Sequence, residues 1–234
     1  MQAEDQLPRR RTPTPGPEGD FLEAALDSAP QSGLWHEEDD PLFFREPALP
    51  TGFPDLIGVF VKQREILFPP ERLRLEVKHL QVLHYLCGAR SASVSEASGA
   101  LLWSEQSLEA IVQDLELAEL VRRSRRRVRC AALSEVFVAK RIVAVEAKLD
   151  KWEIALRQAV ANTWFASHSF ILLPEGRWST EVRCAAGRFG IGVLTYDGDR
   201  PIVRLRAEKR PIPASYGSWL VNEWAVRRAG RPVS

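Results

Sequence analysis

An α/β fold interrupted by a helical insertion is the class that the sequence predicts, and three observations predict it. Short apolar runs broken by Pro and Gly occupy residues 42–68. A helical periodicity replaces them from residue 77 to about 117. Strand-like and helix-like patterns then alternate toward the C-terminus. The 234 residues suit one large domain or two small ones, and 45% hydrophobic residues with 7 Trp and 10 Phe exclude a wholly disordered chain. No apolar run reaches the roughly 18 residues of a membrane span, so no membrane partner is expected. The N-terminus, MQAEDQLPRRRTPTPGPEGD, lacks the apolar centre of a secretory signal. Cys87, Cys130 and Cys184 match neither a disulfide framework nor a zinc site by spacing, which predicts a reduced, cytoplasmic protein.

Residues 1–19, rich in Pro, Gly and charge, read as a disordered tail. A short helix follows, with Asp20 as its N-cap and Phe21, Leu22, Ala25 and Leu26 as its apolar side. Beyond an acidic stretch at Glu37–Asp40, strands are expected near 42–46, 55–62 and 65–68. Leu49-Pro50-Thr51-Gly52 turns the first two into a hairpin. Pro69 and Pro70 end that pattern.

Val77, Leu80, Val82, Leu83 and Leu86 give the stripe of a first inserted helix. Ser93-Val94-Ser95-Glu96 has the form of a capping box for a second, running to about Trp103. Ser104 caps a third, with Leu108, Ile111, Val112 and Leu115 at i, i+3, i+4 and i+7. A hairpin loaded with Arg122, Arg123, Arg125, Arg126, Arg127 and Arg129 closes the segment. Three helices and a basic hairpin in this order resemble a winged helix-turn-helix.

Arg141–Leu149 is the strongest strand pattern, apolar on both faces until Glu146, as in a central strand covered on each side. Asp150-Lys151-Trp152-Glu153 forms a capping box for a helix running to about Phe165. Strands follow at 169–173, 190–196 and 202–207, and a helix at 215–228 sets Trp219, Leu220 and Trp224 against the core.

The net charge is +1, from 32 Lys and Arg against 31 Asp and Glu, which on its own argues against a nucleic-acid partner. The total averages an acid-rich N-terminal region with the arginine hairpin, so the local density is the better guide. Arginine makes phosphate contacts and enters minor grooves, which favours DNA as the hairpin's partner. The competing reading is a solvated wing neutralised by Asp114, Glu116 and Glu119. Acids near the start of the third helix, Glu105 and Glu109, would oppose phosphates. The insertion could equally be a protein-docking module.

The chemistry-bearing pattern has three parts. Asp55 begins a strand. Glu146 and Lys148 stand two apart at the end of another, so they project from one face. Gln158 lies on the helix that follows. Two carboxylates converging beside a lysine can hold Mg²⁺ or Mn²⁺ through oxygen donors and activate a water. The competing readings are a solvated Glu-Lys pair, a turn aspartate and a surface glutamine. His36, His79, His84 and His168 form no ligand cluster, though His168 follows the Gln158 helix closely enough to approach the site.

Pro54-Asp55 followed by Glu146-Ala147-Lys148 resembles the PD-(D/E)XK nuclease superfamily, and Gln158 resembles the glutamine of its RecB-like branch, where Asn162 stands in place of the usual tyrosine. The resemblance covers roughly 20–68 and 136–225. It implies a restriction-endonuclease-like core, a mixed sheet flanked by helices, and a hydrolase that cuts DNA with Mg²⁺. Asp55, Glu146 and the Ala147 carbonyl would hold the metal, Lys148 would serve the water, and Glu23 would be the helix-borne glutamate many members carry. The expected organisation is a tail at 1–19, a nuclease-like core at 20–68 and 136–228, an inserted winged-helix-like DNA-binding domain at 69–135, and a tail at 229–234. The expected partners are DNA and, beside it, a second copy of the chain or another protein of a DNA-processing complex. The alternatives are a catalytically inactive DNA-binding or regulatory protein on the same scaffold, and a protein-interaction subunit of a DNA-processing or defence complex.

Overall fold

The computed structural model describes residues 16–29, 41–50, 52–62 and 66–232; the acidic stretch at 37–40, the turn residue Thr51 and residues 1–15 of the expected tail lie outside them. In chain order the elements are α1 (Pro17–Asp27), β1 (Leu42–Arg45), β2 (Leu56–Val61), β3 (Ile66–Phe68), α2 (Val77–Ala89), α3 (Val94–Leu101), α4 (Glu105–Leu117), β4 (Val121–Ser124) and β5 (Arg127–Cys130). They continue as α5 (Leu133–Val136), β6 (Ala139–Ala147), α6 (Trp152–Asn162), β7 (His168–Pro174), α7 (Thr180–Arg188), β8 (Gly192–Tyr196), β9 (Pro201–Leu205), α8 (Tyr216–Ala229) and β10 (Gly230–Pro232). These form two units: Val61–Ala139 with the chain from Ala214 onward, and the residues up to Phe60 with Lys140–Pro213.

The second of these units is an α/β layer structure. Six strands lie in the order β1-β2-β6-β7-β8-β9. The sheet is mixed: β6, β7 and β8 run parallel, while β1 on β2 and β9 on β8 are antiparallel. The β1–β2 connection closes through reciprocal Leu49 and Gly52 backbone bonds of 2.9 and 3.0 Å, as the turn residues predict. β6 is buried from Ile142 to Ala147 because both its faces are covered. On one side Val143, Val145 and Ala147 meet Leu22 and Ala25 of α1. On the other face of the sheet, Ile171, Leu173 and Val193 meet Ala155 and Ala159 of α6 and Val182 and Ala186 of α7. Each such fully buried aliphatic side chain contributes roughly 1.5–3 kcal/mol.

Three local expectations change. α1 begins at Pro17, not Asp20, with Gly16 as N-cap and Asp20 in the first turn; proline's fixed φ suits the first helical position and its missing N–H costs nothing there. Residues 17–19 therefore belong to a helix and not to a tail. The Asp150 capping box does not form: Lys151 is the N-cap of α6, and the Asp150 carboxylate pairs with Arg177 instead. α7 carries no strong sequence signal, since only Val182 and Ala186 are buried, and Ser179 caps it by accepting from the Val182 N–H at 3.2 Å.

The other unit contains the three inserted helices and the hairpin. Ser93 and Glu96 form the expected reciprocal capping box, and Ser104 accepts from the Ser107 N–H. β4 and β5 pair antiparallel, and Ala92 and Val128 exchange backbone bonds of 2.9 and 2.7 Å, which tie the hairpin to the α2–α3 connection. Cys87 on α2 and Cys130 on β5 are neighbours, a proximity that their sequence spacing hid, and both are free thiols.

The insertion does not close on itself at 69 and 135. α8, expected against the α/β core, belongs to this unit and buries Trp219, Leu220, Val221, Ala225 and Val226. Trp219 meets Phe137 edge-on at 4.6 Å. Arg72 is buried and donates to both carboxylate oxygens of Glu223 at 3.0 and 2.7 Å, and to the Val136 carbonyl. β3 joins no part of the six-stranded sheet. It pairs in parallel with β10, so the expected tail at 229–234 forms a strand over Gly230–Pro232. Gly230 is required there: a Cβ would lie 2.3 Å from the Phe68 ring and 2.5 Å from the Val226 carbonyl.

Candidate functional site

The start of β2 and the end of β6 lie side by side, because β2 runs opposite to β6. This brings Asp55 to the turn after Ala147. The Asp55 Oδ2 accepts the Ala147 N–H at 2.8 Å and lies 3.7 Å from the Lys148 Nζ. Lys148 also donates to the Glu18 Oε2 at 2.9 Å and to the Ala147 carbonyl at 3.0 Å. Glu146 is 1% exposed. Its Oε1 accepts the Asn162 Nδ2–H at 2.6 Å, while its Oε2 is buried without a partner among the described residues.

The electrostatics follow from this packing. Burial, then the neighbouring Asp55 charge, push the Glu146 carboxyl up to about 8, against the opposing effects of Asn162 and Lys148. Burial also raises Asp55, despite Lys148 and the Ala147 N–H. For Lys148, burial acts to lower the pKa, but the Glu18 hydrogen bond and the charges of Asp55, Glu18 and Glu146 outweigh it and raise it. The lysine is therefore a cation and a donor near neutrality, while the two carboxyl groups resist sharing negative charge.

An open cleft of about 680 Å³ adjoins these groups, lined by Glu18, Glu46, Phe53, Asp55, Lys151 and Gln158 among others. Gln158 thus shares the cleft with Asp55, and its Oε1 is buried without a partner among the described residues. Asn162, one turn further along α6, holds Glu146; it is the residue that stands in place of the tyrosine usual four positions after the glutamine. Glu23 is not part of the site, because it pairs with Arg45. Glu18 takes the place expected of it. Five residues separate the two on α1, so they face different directions. No sequence signal marks Glu18, which falls in the Pro- and Gly-rich stretch expected to be a tail. His168 starts β7 opposite Val143, three register positions before Glu146, and lies toward the other end of the sheet.

Among the described residues, no group of three or more His, Cys, Asp or Glu side chains is placed to hold a metal ion. The donor set at this point is two carboxylates and one backbone carbonyl. It fits a hard divalent cation in one respect: the unpartnered Glu146 Oε2 sits where a cation would replace the proton that the raised pKa retains.

The hairpin is less open than its composition suggests. Arg122 pairs with Glu135 at 2.6 Å, Arg123 with Glu109 at 2.7 Å and Glu116 at 3.2 Å, and Arg127 with Glu96 at 3.2 Å. Arg125, Arg126 and Arg129 have no carboxylate partner among the described residues, so half of the six arginines remain uncompensated. Asp114, expected to neutralise the wing, bonds His79 instead. No helix of the described residues is long and apolar enough to cross a membrane.

Compared with protein-family models, with curated proteins and with solved structures, the chain finds no match in any of the three.

Proposed function

We propose that the chain is a metal-dependent nuclease of the PD-(D/E)XK kind, hydrolysing phosphodiester bonds in DNA, with the inserted helices and hairpin acting as a winged-helix domain that positions the substrate. One observation carries the reading: Asp55, Glu146 and Lys148 converge at the ends of two adjacent strands, with a buried Glu146 oxygen left unpartnered.

Asp55, Glu146 and the Ala147 carbonyl would hold Mg²⁺ or Mn²⁺. When bound, the ion lowers the pKa of a water and stabilises charge on the phosphate. The protein's own part is then specific. Lys148 stays protonated, so it serves as a donor that orients the water and offsets phosphate charge, and not as a general base. Glu18 holds its Nζ, and Asn162 holds the Glu146 Oε1, leaving Oε2 beside Asp55. Gln158 offers its amide to a ligand in the cleft.

A cleavage panel of single-stranded, duplex and structured DNA with Mg²⁺ or Mn²⁺ tests the reading. Cutting should be lost in Lys148→Ala; if no DNA is cut by the unaltered protein, the catalytic reading falls. The presence of two carboxylates instead of three favours, as the second reading, an inactive DNA-binding protein on the same scaffold. That reading expects DNA binding indifferent to Glu146.

A further inference from the structure

Charge is divided sharply between the hairpin and the helices before it. α3 and α4 carry Glu96, Glu105, Glu109, Asp114 and Glu116 and no lysine or arginine, whereas Val121–Cys130 carries six arginines and no acid. In helix-turn-helix docking the second helix of the pair enters the major groove, with its N-terminal residues at the base edges. Here that end of α4 presents exposed Glu105 and Gln106, with half-buried Glu109 one turn on. Glu105 in that position would face the phosphates lining the groove with no cation on the helix to offset it, and Glu109 is already taken up by Arg123 of the hairpin. α4 is built to stay out of a groove.

The hairpin is built in the opposite way. Val121 and Val128 are buried beneath it, so its inner face is committed to packing. The outer face carries Arg122 directly opposite Arg129, and Ser124 opposite Arg127. Like charges directly across a strand pair repel, and an anion held between them removes the repulsion. The two-residue tip is Arg125-Arg126, with Arg125 in the left-handed region at φ 55, where glycine or asparagine is the usual choice. At Arg125, therefore, an arginine occupies a turn position whose backbone disfavours it.

We infer that the hairpin, and not α4, is the nucleic-acid contact, and that it grips the phosphate backbone of duplex DNA without reading base sequence. Arg125, Arg126 and Arg129 carry the contact. Arg122 joins them by leaving Glu135, an exchange that costs little because both side chains are more than half exposed. Arginine's planar fork matches a phosphate through paired N–H donors. An anionic membrane fits the surface less well, since the tip has no apolar side chain to insert and Val121 and Val128 are covered. The inference rests on the nucleic-acid part of the reading above and is independent of the metal centre.

The test uses the full chain carrying Glu146→Gln, so that cutting cannot confuse binding. Fluorescence anisotropy would follow two duplexes of unrelated sequence across a salt series. The two should bind within about threefold of each other, with affinity falling steeply as salt rises. Arg125→Ala/Arg126→Ala/Arg129→Ala should weaken binding at least about tenfold and reduce the salt slope by about three, while the corresponding lysine variant keeps most of the affinity. Glu105→Gln/Glu109→Gln should keep or raise affinity. Unchanged binding in the triple alanine variant overturns the inference. So does a more than tenfold preference for one duplex that Gln106→Ala abolishes, and so does tighter binding to phosphatidylserine vesicles than to duplex. If hairpin-dependent binding is found while the unaltered protein cuts nothing, the nuclease reading falls and this one stands; cutting with a hairpin that does not matter gives the reverse.

Discussion

Charge is concentrated at two places in this molecule, the acidic end of β2 and β6 and the arginine hairpin, and the two are built on opposite terms. Glu146 is one buried acid with a single hydrogen-bond donor, and its environment makes ionisation costly. The hairpin holds six arginines in the open, three of them answered by carboxylates on α3, α4 and the segment after β5. Burial makes each charge consequential and few are needed. Exposure makes each one cheap, so numbers and geometry matter more than any single side chain.

If the contrast is real, substitutions at the buried end should dominate every measurement. Lys148→Ala or Glu146→Ala should lower DNA cleavage by at least about 10³-fold, as removal of a positioned charge from a reacting centre does, with DNA affinity changed little. Single-turnover rates alongside binding isotherms check this. A parallel loss of affinity would mean that the two regions are not separate in function.

A buried pair elsewhere gives the control for burial itself. Arg72→Leu takes the ion-pair partner from the fully buried Glu223 and should cost about 3–5 kcal/mol in denaturant unfolding. Arg72→Met combined with Glu223→Leu should recover most of that loss.

The pH dependence sharpens the same point. The Glu146 carboxyl is held at about 8 in the folded protein against 4.5 ordinarily, so the folded form keeps a proton that the unfolded chain gives up. Its contribution to stability is complete below about pH 4.5 and is lost as pH rises toward 8. Without added metal, Glu146→Gln should therefore overtake the unaltered protein in stability, by on the order of 3 kcal/mol above pH 8 and by little near pH 5. Thermal melts at the two pH values measure it. A constant offset would show that the carboxyl is not held protonated.

At the small end, Arg122→Ala removes an exposed pair with Glu135 and should move stability by less than about 0.5 kcal/mol. A larger loss would place the hairpin among the structural charges.

Much of this was legible in the sequence where the signal is local. The apolar run into Glu146 and the Ser93 and Ser104 caps are properties of neighbouring residues, and the structure forms each of them. β6 ends at Ala147, so the alternation expected to set Lys148 on the Glu146 face stops short of it: Lys148 turns to Glu18 of α1 and Glu146 to Asn162 of α6. The misses arise where a residue's role depends on what packs against it. Glu18 was lost because Pro17 starts a helix inside a Pro-Gly stretch. α8 has the same apolar stripe whichever surface it covers, so its membership in the unit with α2 could not be read from periodicity. Gly-Arg-Pro at 230–232 becomes a strand only because β3 offers an edge. The neutralised arginines were closer to legible: Glu109 and Glu116 are seven residues apart on α4, hence on one face, and both reach Arg123.

The pairing of β3 with β10, and of Arg72 with Glu223, also sets the order in which the protein can be made. Arg72 precedes its partner Glu223 by 151 residues, and β3 is farther still ahead of β10. Phe68 of β3 and the apolar stripe of α2 must wait, uncovered, through the synthesis of the intervening residues, which is when such surfaces aggregate or engage a chaperone. Completion of this unit therefore waits on the segment from Ala214, and a chain stopped just before Ala214 would be released with its helices made and their cover missing.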